Sequence, residues 1–126
     1  QHLLVNSFAD ILNTKWKSDY YLPIFNEMKR TISSEIPRHM ARWGGNEPGW
    51  SSRTDYMKTF SAQRPAVVKN FVRNLYGIDG MYTLNLESKD PTQGSIKVNS
   101  IDLKNYSNPW NGNYFNDVPV RLVADM

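Results

Sequence analysis

Hydrophobic residues recur every three or four positions through the first part of the chain, which is the spacing of one face of a helix. Residues 2–16 show this pattern, and a second stripe covers residues 25–43. The apolar positions are Leu4, Phe8, Ile11 and Leu12 in the first stripe, and Phe25, Met28, Ile32, Ile36, Met40 and Trp43 in the second. Each stripe therefore predicts an amphipathic helix.

Proline and glycine predict where the helices begin and end. Pro37 interrupts the second stripe, so we expect the helix to kink or restart there, with Ser33 to Glu35 capping the new start. Gly44-Gly45 predicts its end, and residues 46–49 predict a turn. A further helix would be capped by Ser51 or Ser52. The last would begin at Pro65 and end at Gly77.

After Gly80 the pattern alternates with a period of two, which is typical of strands. Residues 81–86 and 95–99 alternate, and the turn-forming residues 89–94 between them predict a β-hairpin. Residues 108–113 predict an irregular loop, and residues 118–124 a last strand in which Pro119 favours an edge or a strand start.

The expected fold class is α+β: a helical subdomain of about four helices followed by a small antiparallel β-sheet. We place the helical segment at 1–78 and the β-module at 79–126. Three strands make a small sheet, so we expect it to pack on the helices or to continue beyond Met126. Because the chain opens at Gln1, we interpret it as part of a longer polypeptide.

Composition excludes several kinds of site. The 126 residues contain no cysteine and two histidines, so disulfides, thiolate metal sites and cysteine nucleophiles are excluded. Residues 1–78 hold 11 Lys and Arg against 6 Asp and Glu, whereas residues 79–126 hold 4 against 6. The net charge of +3 is thus a sum of +5 and −2. Without a dense basic stripe we expect no nucleic-acid binding, and no apolar run is long enough for a membrane span.

Three basic side chains near the second helix end form a candidate anion site. Arg38, His39 and Arg42 fall within about one turn, where they could hold phosphate or carboxylate. The alternative is structural, because Glu35 lies three and four residues before Arg38 and His39 and could pair with either. Glu35 and His39 have metal-pair spacing, but no third ligand is near, so we expect no metal site.

Aromatic residues crowd the predicted loop near residue 110. Trp110, Tyr114 and Phe115 stand among the amides and glycine of residues 111–113. Exposed rings there would suit a sugar or a protein partner, which makes them a candidate ligand loop. The alternative is that the segment folds back and buries them over the sheet.

The order of motifs resembles the C-terminal end of the CotH-type (spore coat protein H) family of atypical kinases. The matching segments are Phe8 to Thr14, Ser34 to Gly44, Met57 to Phe60 leading to Gln63-Arg64-Pro65 and Val68, Tyr76 to Gly80, Gly94 to Asn99, Trp110 to Phe115, and Val118 to Val120. The resemblance covers nearly the whole chain. Its Ile-Pro-Arg-His and Arg-Pro segments are the more specific ones.

The resemblance implies a parent that phosphorylates protein substrates with ATP and Mg²⁺, in an extracellular, cell-surface or spore-envelope location. In the family pattern the nucleotide- and metal-binding acidic residues precede the segment matched by Phe8 to Thr14, so no catalytic residue is carried over and no cofactor is expected here. We expect a fragment that is inactive alone. It would act as scaffold for the upstream kinase lobe or as a substrate-side surface. The alternative function is an extracellular adhesion module that uses the aromatic loop.

Overall fold

Four α-helices are followed by five short β-strands in a computed structural model that describes residues 1–125. The helices are α1 (His2–Asn13), α2 (Ser18–Ser33), α3 (Ile36–Trp43) and α4 (Glu47–Tyr76). The strands are β1 (Met81–Leu86), β2 (Ser95–Val98), β3 (Ile101–Asp102), β4 (Trp110–Phe115) and β5 (Leu122–Asp125), and a short 3-10 helix (Leu103–Asn105) follows β3. This order confirms the α+β class.

The described chain divides into two compact units. The sheet unit combines residues 1–14 with the described residues from Lys69 onward, and the helical unit is Lys15–Val68. Helix α1 is therefore grouped with the strands, although α2, α3 and most of α4 separate it from them in sequence. The division expected between residues 78 and 79 does not coincide with these units.

The prolines explain both a correct and an incorrect helix prediction. A break before Pro37 is confirmed, because α3 begins at Ile36 with the proline in its first turn, where no N–H is needed. The turn predicted at 46–49 is wrong. The Asn46 side chain accepts a hydrogen bond from the Gly49 N–H at 2.7 Å, so it caps α4. Nor does a helix begin at Pro65, because α4 continues through it.

The five strands form two antiparallel sheets, and the predicted hairpin is wrong. β1 pairs with β4 from Met81 opposite Phe115 to Leu86 opposite Trp110, whereas β2 lies between β3 and β5. Alternation predicted β1 and β2 as strands but carries no information on which strands pair. The predicted last strand is shorter, because β5 begins at Leu122, after Pro119.

The core of the sheet unit lies between α1 and the strands. Its buried apolar side chains come from both ends of the chain: Val5, Ala9, Leu12, Val72, Val98, Ile101, Trp110, Tyr114, Phe115 and Val118. Gly112 is needed within β4, since a Cβ there would lie 2.3 Å from the Trp110 ring. The missing side chain lets the indole lie against its own strand.

One buried carboxylate joins α1 to the strands. Asp10 is 4% exposed, and its Oδ2 accepts hydrogen bonds from the Ser100 N–H at 3.0 Å and the Ser100 hydroxyl at 2.5 Å. Its Oδ1 accepts from the Asn99 amide at 3.2 Å and the Tyr114 hydroxyl at 3.1 Å. Four donors thus satisfy the buried charge, as burial of a carboxylate requires.

A second polar contact fixes α1 on β4. The Asn13 side chain donates to the Asn113 carbonyl and accepts from the Asn113 N–H, both at 2.8 Å. The amide therefore takes the place that a neighbouring strand would occupy beside β4. Together with Asp10, it specifies the register of the helix on the sheet.

Replacing Asp10 with asparagine tests this polar centre. Asp10→Asn keeps the shape but turns one acceptor oxygen into an NH2 group that faces donors. We expect the free energy of unfolding to fall by about 1–3 kcal/mol, the usual cost of an unsatisfied buried group. Urea denaturation measures it. Asp79→Asn, at an exposed position, is the matched control and should change little. Equal effects of the two substitutions would contradict the central role of Asp10.

Candidate functional site

The predicted anion site lies on α3 of the helical unit. Arg38, His39 and Arg42 are all exposed. Among the described residues none of the three side chains makes a hydrogen bond or ion pair, and the expected pairs with Glu35 are not formed. The Arg42 guanidinium instead lies 5.0 Å from the centre of the Trp43 ring. The three side chains are therefore accessible to an anion, and the anion site stays a prediction.

The predicted aromatic loop is a strand with buried side chains. Trp110, Tyr114 and Phe115 belong to β4 and are 4%, 0% and 1% exposed. The Trp110 and Tyr114 ring centres lie 6.5 Å apart within the core. The irregular loop predicted at 108–113 is therefore wrong from Trp110 onward, whereas the alternative that these side chains are buried is confirmed. No face of these three rings is left for a sugar to stack on. The sequence pattern fitted both alternatives, because aromatic residues favour strands as well as binding loops.

The environment of Tyr114 perturbs its hydroxyl. Burial raises the pKa of the Tyr114 phenol strongly, and the negative charge of Asp10 raises it further. The hydroxyl donates to Asp10, and that bond is lost if the phenol ionises. The fold therefore favours the protonated phenol.

The remaining pKa shifts belong to surface contacts and to one tyrosine in a sheet. Arg30 lowers the pKa of Glu27, and Asp125 raises the pKa of Lys97 across the β2–β5 pair. Their partners shift oppositely: the pKa of Arg30 rises and that of Asp125 falls. The Thr92 hydroxyl and N–H lower the pKa of Asp90, and burial raises that of Tyr82. Each of the three shifted carboxylates has a surface hydrogen-bond partner, which explains its shift.

The feature that the sequence analysis missed is an exposed apolar surface on the helical unit. Ile36 is the one buried apolar side chain among residues 15–68. Nine large apolar side chains of this unit are 42–70% exposed: Tyr20, Ile24, Met28, Ile32, Trp43, Tyr56, Met57, Phe60 and Val67. Contiguous exposed apolar surface marks interaction sites on soluble domains, which makes these side chains candidates for one. The apolar stripes in the sequence predicted apolar helix faces, but the spacing of a stripe does not identify what packs against it.

Cations lie against aromatic rings throughout the helical unit. Besides Arg42 on Trp43, the Arg64 guanidinium lies 5.6 Å from the Phe60 ring and the Lys58 ammonium 5.6 Å from Phe25. Lys29 and Lys15 lie against Trp50 and Tyr20 in the same way. Residues 15–68 carry nine Lys and Arg against five Asp and Glu. The exposed surface is therefore both aromatic and basic.

Two absences are observed among residues 1–125. These residues contain no group of three or more His, Asp or Glu side chains close enough to hold a metal ion. No helix of that range is long and apolar enough to cross a bilayer. The exposed apolar and basic side chains of residues 15–68 are the candidate functional site.

Comparison with known proteins gives no relative: no family model, no curated protein and no solved structure matches the chain.

The raised pKa of Tyr114 predicts how stability depends on pH. Below a pH of about 10, the ordinary tyrosine pKa, the phenol is protonated in both states and its contribution is complete. Above that pH the unfolded chain releases the proton while the folded chain retains it, so the contribution falls. We expect the stability difference between the wild type and Tyr114→Phe to shrink from pH 9 towards about 11. Urea unfolding at each pH measures it, and a constant difference would contradict the assignment.

Proposed function

We propose that the chain is a non-catalytic C-terminal part of a CotH-like protein kinase, in which the helical unit is a scaffold for the upstream kinase lobe. The observation that carries this proposal is the exposed apolar surface of residues 15–68. Helices with a single buried apolar side chain gain little stability from packing on one another, whereas most helical stability in proteins comes from a packed apolar face. Such helices need a further surface to cover them.

The resemblance supplies the identity of that further surface. In the family order, the kinase lobe precedes the segment that Phe8 to Thr14 resembles. A lobe that packs on α2 and α4 would bury Ile24, Met28 and Phe60, each of which is about half exposed or more. An exported or surface-associated parent that phosphorylates proteins with ATP and Mg²⁺ belongs to the same proposal. Any part of the helical unit that the lobe leaves uncovered would be a surface on the substrate side.

The adhesion alternative has less support. It depended on exposed rings at Trp110, Tyr114 and Phe115, and these side chains are buried. Among the described strand residues, Tyr82 is the most exposed aromatic, at 39%, and Phe71, at 60%, lies on α4 rather than in a loop. We therefore argue the scaffold function alone.

Nucleotide binding tests the non-catalytic part of the proposal. Calorimetric titration with Mg-ATP up to about 1 mM, the upper end of usual substrate affinities, should give no saturable heat. Radiolabelled ATP should leave no phosphate on the chain. A longer parent polypeptide that includes the upstream lobe is the positive control. Saturable binding or turnover by residues 1–126 alone would contradict the proposal.

Hydrogen exchange tests the scaffold part. In the isolated chain, amides of α2 and of α4 up to Val68 should exchange faster than amides of α1 and β4, because few apolar contacts oppose their opening. In the longer parent polypeptide the same helices should become protected, while β4 should not change. Mass spectrometry of peptic fragments measures both. Equal protection of α2 with and without the lobe would contradict the scaffold role.

A further inference from the structure

One exposed stripe on α4 has the spacing of a helix-pairing seam. Arg53, Met57, Phe60, Arg64 and Val67 are separated by four, three, four and three residues, and we call these five side chains the outer seam. Both arginines are exposed, and Met57, Phe60 and Val67 are 54%, 50% and 50% exposed. A repeat of 3.5 residues keeps such positions facing a second helix, as in coiled coils.

The half-buried side chains of α4 before Lys69 lie on a neighbouring face and are mixed in composition. They are Trp50, Ser51, Thr54, Lys58, Ser61, Pro65 and Val68. Lys58 approaches Asp55 at 3.9 Å, and Lys29 of α2 approaches Asp55 at 3.5 Å. Within the helical unit, apolar side chains of α4 thus lie both at the half-buried positions and in the outer seam, and those of the outer seam stay exposed.

The charges of the outer seam specify what can cover it. Neither Arg53 nor Arg64 has a carboxylate partner among the described residues; the Arg64 guanidinium lies over Phe60. The two arginines are eleven residues apart, which is about 16 Å along a helix. Arginine side chains at a helix interface favour carboxylates, with which they form bidentate pairs.

A second copy of the chain is a poor partner for this seam. Antiparallel pairing centred between Met57 and Phe60 places Arg53 of one copy opposite Arg64 of the other, and parallel pairing in register places each arginine opposite itself. Either arrangement brings like charges together at the interface, which is unfavourable. A partner with carboxylates at those positions has no such penalty.

We infer that the outer seam binds an amphipathic helix that carries two acidic residues eleven positions apart, with apolar residues between them. The inference rests on the proposed scaffold function, because the upstream lobe would supply this helix. The carboxylates pair with Arg53 and Arg64, and the apolar residues cover Met57, Phe60 and Val67. Aromatic, methionine and arginine side chains are enriched at protein interfaces, which matches the composition of the seam.

Two synthetic helices provide the test. Both carry the same leucine stripe; the acidic peptide has glutamate at two stripe positions eleven residues apart, and the basic peptide has lysine there. We expect saturable binding of the acidic peptide to the chain by fluorescence anisotropy, with at least tenfold weaker binding of the basic peptide. The affinity should fall with added salt, since part of it is charge pairing.

A charge swap on the chain completes the test. Arg53→Glu with Arg64→Glu should reverse the preference, so that the variant binds the basic peptide and loses the acidic one at least tenfold. Lys89→Glu with Lys104→Glu, at exposed lysines of the sheet unit, is the matched control and should leave the preference unchanged. Circular dichroism checks that both variants are folded. Equal binding of the two peptides, or binding of neither, overturns the inference, and neither result bears on whether the chain binds Mg-ATP.

Discussion

The buried carboxylate of Asp10 is the constraint on which the sheet unit depends. It accepts hydrogen bonds from Asn99, Ser100 and Tyr114, so a single side chain of α1 holds both the β2–β3 turn and the end of β4. Asn99 also accepts from the Arg121 N–H at 2.8 Å, which extends the network to the residue just before β5. Two sheets of two and three strands would be marginal alone. The network and the apolar face of α1 join them into one structure.

Local chemistry explains which elements could be predicted from the sequence. The spacing of Leu4, Phe8 and Leu12 predicted α1, and Gly44, at a φ of 83°, ends α3 as expected of glycine. The helix start predicted at Pro65 was wrong, because the residue lies inside α4. A proline in the sequence does not show by itself whether it begins a helix or lies within one. The pairing of β1 with β4 could not be predicted from the sequence, because it is a contact between segments that are distant in the chain.

For the candidate sites too, local features could be predicted from the sequence, whereas features that depend on distant contacts could not. Arg38, His39 and Arg42 were expected to be near each other on a helix, and they are exposed on α3. Trp110, Tyr114 and Phe115 were recognised as distinctive, but the donors of the Asp10 network and the small Gly112 decide that they face the core. The exposed surface of the helical unit could not be predicted. An apolar stripe has the same spacing whether the surface that packs on it belongs to the same chain or to another molecule.

The position of α1 in the sequence has a consequence for the evolution and folding of the molecule. Since residues 1–14 complete the sheet unit while residues 15–68 form the other, the helical unit is topologically an insertion within a discontinuous domain. Closing a loop costs little more as the loop lengthens, about 0.6 kcal/mol per doubling. Changes in the length of the inserted segment before α4 therefore cost the sheet unit little, whereas α4 itself belongs to both units. The sheet unit itself can form only after its last strands have been synthesised, because Asp10 finds its partners some 90 to 104 residues further along the chain.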